Sequence, residues 1–123
     1  MSNHDVAAQI REGLVGLSRE QAEELAHAIE RLIDALSPIH IYAFGSHARG
    51  DATSDSDVDL FIVVTDSDEP AHRRAQMAYQ AAGPRRLALD IVVMPQAEIE
   101  WRCGAQASLP ATVSREGRLL YAA

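Results

Sequence analysis

One cysteine, few basic residues and no long apolar run set the first limits on this 123-residue chain. Cys103 alone cannot form an internal disulfide. Beside Trp101, in a half-apolar segment with no neighbouring histidine, it reads as a small buried thiol rather than a nucleophile. Eleven basic against eighteen acidic residues leave a net charge of −7, which argues against a broad phosphate-binding surface for nucleic acid and favours a basic protein partner. No apolar stretch approaches the roughly 20 residues of a membrane span. No charged-then-apolar leader opens the sequence either, so a cytoplasmic protein without membrane contact is expected. The histidines, His4, His27, His40, His47 and His72, lack the paired spacing of a zinc site. With no repeat, linker or low-complexity tract, residues 1–123 suit a single domain too short for a second core. Any substrate pocket is therefore shallow or shared.

What is present is an alternation of helical and strand patterns. Asp5 to Leu17 suits a short helix with Val6, Ile10 and Leu14 on one side, although Gly13 and Gly16 weaken it. Ser18 with Gln21 has the form of a capping box, and Ala22, Leu25, Ile29, Leu32, Ile33 and Leu36 recur on one face, so residues 19–36 are expected as an amphipathic helix. Ser37-Pro38 should end it, because the residue before a proline is pushed out of the α region. Ile39 to Phe44 reads as a strand, Ser46 to Arg49 as a short helix, and Asp57 to Val64 as a second strand. Asp68, with Pro70 in the first turn, is expected to open a helix to Ala82 whose apolar face is Ala71, Ala75, Ala78 and Ala82. Leu87 to Met94 suits a third strand, Pro95 to Arg102 and Leu109 to Arg115 two helices, and Arg118 to Tyr121 a last strand. The fold class is α/β (α+β), a small mixed sheet with flanking helices.

The chemistry concentrates between residues 45 and 90. Gly45 permits a sharp exit from the first strand, and the free N–H groups of the short helix after it face back toward the turn, a favourable place for phosphate oxygens. After a gap of ten residues, 47–56, Ser46 is followed by Asp57-Val58-Asp59. Residues i and i+2 of a strand point to one side, so the two carboxylates lie side by side. At about 4 Å they repel by on the order of 4 kcal/mol at a surface-like dielectric, and a divalent cation would reverse that sign. Asp90, the charged residue among Leu89, Ile91, Val92 and Val93, reads as an interior carboxylate in need of a partner. If the three converge, two metal ions between them can grip a triphosphate, activate an attacking hydroxyl and stabilise departing pyrophosphate, with Asp90 accepting the hydroxyl proton. Rival Asp-x-Asp chemistries fit less well. Dehalogenase-type phosphatases and many nucleotide-sugar transferases carry the pair after a hydrophobic strand, whereas here the strand follows. The glycine and terminal glutamate of an EF-hand calcium loop are missing.

Gly45-Ser46-His47-Ala48-Arg49-Gly50 together with Ser56-Asp57-Val58-Asp59-Leu60 resembles the signature of the DNA polymerase β-like nucleotidyltransferase superfamily, and more narrowly its minimal MNT type. The resemblance extends over the element order of residues 18–121, its specific part being 45–60. It implies a polymerase β palm-like fold and catalysis by Asp57, Asp59 and Asp90. Asp57 and Asp59 would bind two magnesium ions, with Asp90 binding one of them and serving as base. Gly45 and Ser46 would hold the nucleotide's phosphates, with ATP as donor. Arg49 matches the family's Ala-Arg-Gly position. It is open between a phosphate contact and a surface ion pair with Asp51 or Asp55.

Proteins of the minimal type lack the helical second domain with which aminoglycoside nucleotidyltransferases hold their acceptor. The resemblance implies that a separate helical HEPN protein, often an RNase toxin, takes that place and receives AMP on a tyrosine. An antitoxin acting as a protein adenylyltransferase in a hetero-oligomer is the leading expectation, and a basic toxin would complement the charge of −7. Two alternatives stay open: a non-catalytic binding module, and a homodimeric transferase acting on a small antibiotic. Nothing in the sequence reads a base, so the nucleotide is not fixed.

Overall fold

The computed structural model describes residues 6–53, 55–65, 68–84, 86–102 and 109–123. Helix α1, Val6–Gly13, buries Val6 and Ile10 and is followed by Leu14, also buried. Helix α2, Arg19–Leu36, has the expected bounds and the expected start. The Gln21 amide donates to Ser18 Oγ at 3.0 Å, and the Ser18 amide donates to Gln21 Oε1 at 2.9 Å, so two otherwise orphaned donors are satisfied reciprocally. Its end differs in mechanism from the expectation. Ser37 is not extended but left-handed (φ 47°, ψ 55°), and its amide donates to Ile33 O at 3.0 Å, which stops the helix while capping a last-turn carbonyl.

Strand β1 is His40–Phe44, helix α3 is Ser46–Arg49, and strand β2 is Val58–Val64. Asp57 therefore stands one residue before its strand instead of opening it. Helix α4 spans Ala71–Ala82 with Pro70 as its N-cap and no side-chain cap. Asp68 lies outside it. The Pro70 carbonyl accepts from the Arg73 and Arg74 amides at 3.0 Å each, so the helix starts on a backbone carbonyl and a proline φ. Of the four alanines expected inside, Ala78 and Ala82 are buried while Ala71 is exposed. Strand β3 is Leu89–Pro95, helix α5 Gln96–Arg102, helix α6 Leu109–Glu116 and strand β4 Arg118–Ala122. Asp5 and Cys103 fall outside the described residues.

The four strands form one mixed sheet in the order β3-β2-β1-β4. Strand β1 runs antiparallel to β2 and to β4, while β2 and β3 are parallel. Side-chain alternation divides the sheet into two faces. On one, Ile41, Ala43, Val58, Leu60, Ile62, Ile91 and Val93 pack with Leu25, Ile29 and Leu32 of α2 and Ala78 and Ala82 of α4. On the other, Phe61, Val63 and Met94 meet Val113 of α6, with Tyr42, Phe44, Val92 and Ile99 at the border. This second apolar cluster is smaller, and the Asp59 end of β2 rises beyond it. Each fully buried Leu or Ile contributes roughly 1.5–3 kcal/mol, so the helical face anchors the sheet and leaves the opposite face to display polar groups. Among the described residues no helix is long and apolar enough to cross a membrane.

Candidate active site

Asp59 lies in β2, flanked by Phe44 of β1 on one side and Asp90 of β3 on the other. The strand period puts Asp59 on the face of Phe61 and Val63, and Asp90 on the face of Val92 and Met94. Both carboxylates thus stand on the second face, in adjacent strands. Asp90 is exposed, which corrects its reading as an interior carboxylate. The reason is topological: β3 is the outer strand of the sheet, and α5 begins only at its far end. Its charged neighbour is Asp59, across the β2–β3 pair, rather than a core cation.

The charges of these groups are coupled. The Asp59 carboxyl is held above the usual carboxylate range, first by partial burial and then by the negative charges of Asp90 and Asp57, against the opposing pull of His47 and Arg49. Four side chains, Asp57, Asp90, His47 and Arg49, are therefore within electrostatic reach of the Asp59 oxygen pair. The three aspartates do not close into a cage: among the described residues, no three histidine, cysteine or acidic side chains are gathered tightly enough to enclose an ion. That openness suits magnesium. It keeps several waters and takes one or two carboxylates plus substrate phosphates rather than a dedicated protein cage, and hard carboxylate oxygens are the donors it prefers.

Gly45 ties the turn to this cluster. With φ 77° and ψ −155° it occupies a region open essentially to glycine, and a Cβ added there would fall on Asp59 Oδ2. The backbone of the turn is thus pressed against the carboxylate. Ser46 follows as the first residue of α3, whose short turn is closed by Ala48 and Arg49 amides donating to Gly45 O at 3.1 and 3.0 Å. As at any helix start, the first N–H groups have no acceptor within the helix.

Arg49 makes the surface ion pair with Asp51, at 3.6 Å, and a second with Glu116 of α6, at 3.8 Å; it makes none with Asp55. Sequence reasoning missed Glu116, because nothing local links α3 to α6. It also missed His47, which is 1% exposed. Nδ1 of its ring donates to Val15 O at 2.6 Å and Nε2 donates to Ser56 O at 3.1 Å, roles that hold together when the ring carries both protons. Two grooves of about 580 and 620 Å³ lie away from the carboxylate trio. The first runs between α1 and α2 beside Ile10, Leu14 and Ala22, and the second passes Glu20, Glu24, Asp55 and Arg86.

A family model described as a nucleotidyltransferase domain matches residues 23–118, a span containing Gly45, Asp57, Asp59 and Asp90. No curated protein matches the chain. Among solved structures, a Sulfolobus solfataricus protein described as a candidate nucleotidyltransferase superimposes with a TM-score of 0.61 at 18% identity, over 99% of this chain and 92% of that one. At such identity the likeness concerns the fold alone.

Proposed function

We propose a reaction from one premise: this chain belongs to the nucleotidyltransferase domain family. The reaction is transfer of AMP from ATP to a hydroxyl of a partner protein, and the partner is a helical, basic HEPN-type toxin that the chain silences. The observation that carries the chemistry is the convergence on Asp59: the Gly45 backbone presses on its carboxylate, Asp90 is its neighbour across β2 and β3, and Asp57 raises its proton affinity through charge. A phosphate cradle and a carboxylate trio at one edge of one sheet face are the parts that nucleotidyl transfer needs.

Asp57, Asp59 and Asp90 would hold magnesium, which when bound supplies the positive charge that a triphosphate and a departing pyrophosphate require. The remaining work falls to the chain's own groups. Ser46 and the first N–H groups of α3 bind phosphate oxygens. Asp90, exposed beside Asp59, accepts the proton of the acceptor hydroxyl as its oxygen bonds to the α-phosphorus and the bond to pyrophosphate breaks. Among the described residues Arg49 is held by two surface pairs worth about 0–1 kcal/mol each, so it can leave Asp51 and Glu116 for a phosphate at small cost.

The acceptor reading rests on exposure and charge. Asp90 and Asp57 are exposed, and a net charge of −7 complements a basic surface and steers its approach. Co-expression separates catalysis from mere binding. The wild-type chain should restore growth of cells carrying the toxin, and the Asp57→Asn/Asp59→Asn variant, which can still dock, should not. Equal protection by both would instead identify a binding module.

A further inference from the structure

His47 is the one fully buried polar side chain among the described buried residues. A side chain there could serve packing alone, as Leu25, Ile29 and Leu60 do elsewhere. A buried imidazole without partners is costly, so its two hydrogen bonds must define its place. Those bonds have a particular position in the chain. His47 directly follows Ser46, and Ser56 directly precedes Asp57. The Nε2 contact to Ser56 O, at 3.1 Å, therefore spans the neck of the loop that separates the Gly-Ser turn from the first aspartate. The Nδ1 contact to Val15 O, at 2.6 Å, fixes the same ring to the segment between α1 and α2. That segment returns a bond, the Val15 amide donating to His47 O at 3.2 Å. It also packs Gly16 so closely on the loop that a Cβ there would strike Ala52 O. At the loop tip, by contrast, the bonds stay internal: the Thr53 amide donates to Ser56 Oγ and the Ser56 amide donates to Thr53 O.

We propose that His47 is a positioning residue: its imidazole closes the neck of the 47–56 loop against the α1–α2 segment and so holds Asp57 in register with Ser46. The proposal rests on the nucleotidyl-transfer reading only for its effect on rate. A loop fixed at one point samples many arrangements of its other end, and the cost of a misplaced group is steep, about a hundredfold for 1 Å. The ten-residue interval of the sequence signature then has a mechanical reason, since both ends of the loop meet at one ring.

The test uses the full chain carrying His47→Phe, which fills the ring's space without donating, and His47→Gln, which keeps one donor. Amide hydrogen exchange is followed without metal or nucleotide at residues 50–57 and, as the reference for global opening, at Leu60–Val64. The expected result is exchange about tenfold faster or more at 50–57 in His47→Phe, a smaller rise in His47→Gln, and unchanged protection of β2. In parallel, the magnesium concentration giving half-maximal transfer should rise about tenfold with little change in KM for ATP. Loop exchange that stays at the wild-type rate, or rises only together with Leu60–Val64, overturns the proposal. So does a loosened loop with unaltered transfer. If His47→Phe does not fold, His47→Gln carries the same comparison. Were the wild-type chain itself to transfer no nucleotide, the exchange arm would still decide the role of His47, which separates failure of this inference from failure of the reaction.

Discussion

Asp59→Asn will slow nucleotide transfer about a thousandfold and, in the absence of metal, make the protein more stable at neutral pH. The loss follows from removing the carboxylate on which Gly45, Asp57 and Asp90 converge. Stabilisation of developing phosphate charge is worth several kcal/mol, and every 1.36 kcal/mol is tenfold in rate, so a fall of about a thousandfold is expected in pyrophosphate release. The gain in stability follows from the raised proton affinity of Asp59. A carboxyl whose folded-state affinity for a proton exceeds its unfolded one contributes stability below the ordinary carboxylate pKa, and this is lost as pH rises through the raised value. At neutral pH the wild-type chain carries the ionised, repelled form, and asparagine does not. Thermal unfolding in chelator should therefore give a higher Tm for Asp59→Asn at pH 7, a difference that vanishes as pH falls below the usual carboxylate range. Added magnesium should raise the Tm of the wild type and leave the variant unmoved. A variant less stable than wild type at pH 7 would mean that Asp59 serves the fold rather than a ligand.

Gly45→Ala is the second large effect, and it acts through backbone and contact together. A residue with a Cβ at φ 77° and ψ −155° incurs about 1–3 kcal/mol of strain. The new methyl also meets Asp59 Oδ2, a collision that only a shift of α3 or of the carboxylate can relieve. Either movement separates the Gly45-Ser46 turn from the trio. Transfer should fall about a hundredfold, with a drop in urea midpoint and an intact sheet by circular dichroism. Gly50→Ala is the control: Gly50 also has positive φ, at 99°, but a Cβ there meets nothing within 4 Å. It should cost stability through strain and spare most of the activity.

How far the sequence could be read depended on how local each cause was. The start of α2 is written in Ser18 and Gln21, three residues apart, and its bounds match the expectation. The short α3 and the turn at Gly45 were legible for the same reason, since a glycine requirement and a helix start are local. Asp90 was legible as a strand carboxylate but not as an exposed one. Burial depends on which strand is outermost, and that is decided by how β3 packs with β2 and α4 in the whole fold, not by the residues next to Asp90 alone. Ser37 shows the limit of a local rule. Proline does end the helix, but the left-handed cap bonded to Ile33 O prevailed over the extended form. Arg49 was open between phosphate and ion pair because its second partner, Glu116, is distant in sequence and adjacent only in the fold. His47 carried no pattern at all. Its role arises from two carbonyls on different segments, and a histidine inside a signature is indistinguishable by sequence from one on the surface.

The chain's economy follows from this layout. Helices α2 and α4 bury one face of the sheet and stabilise it, while the opposite face gives its open end to three aspartates and a glycine turn. The grooves beside α1 and α2 are set apart from the trio. Under the proposed reaction, activation of the nucleotide would fall to this chain and choice of the hydroxyl to the partner.

The most direct measurement is the intact mass of the partner protein after incubation with the wild-type chain, ATP and magnesium. The account requires an increment of one AMP, absent with Asp57→Asn/Asp59→Asn and absent in chelator. An increment of a single phosphate would mean that the γ-phosphorus is attacked instead, and an unmodified partner that is nonetheless bound and inhibited would contradict transfer altogether.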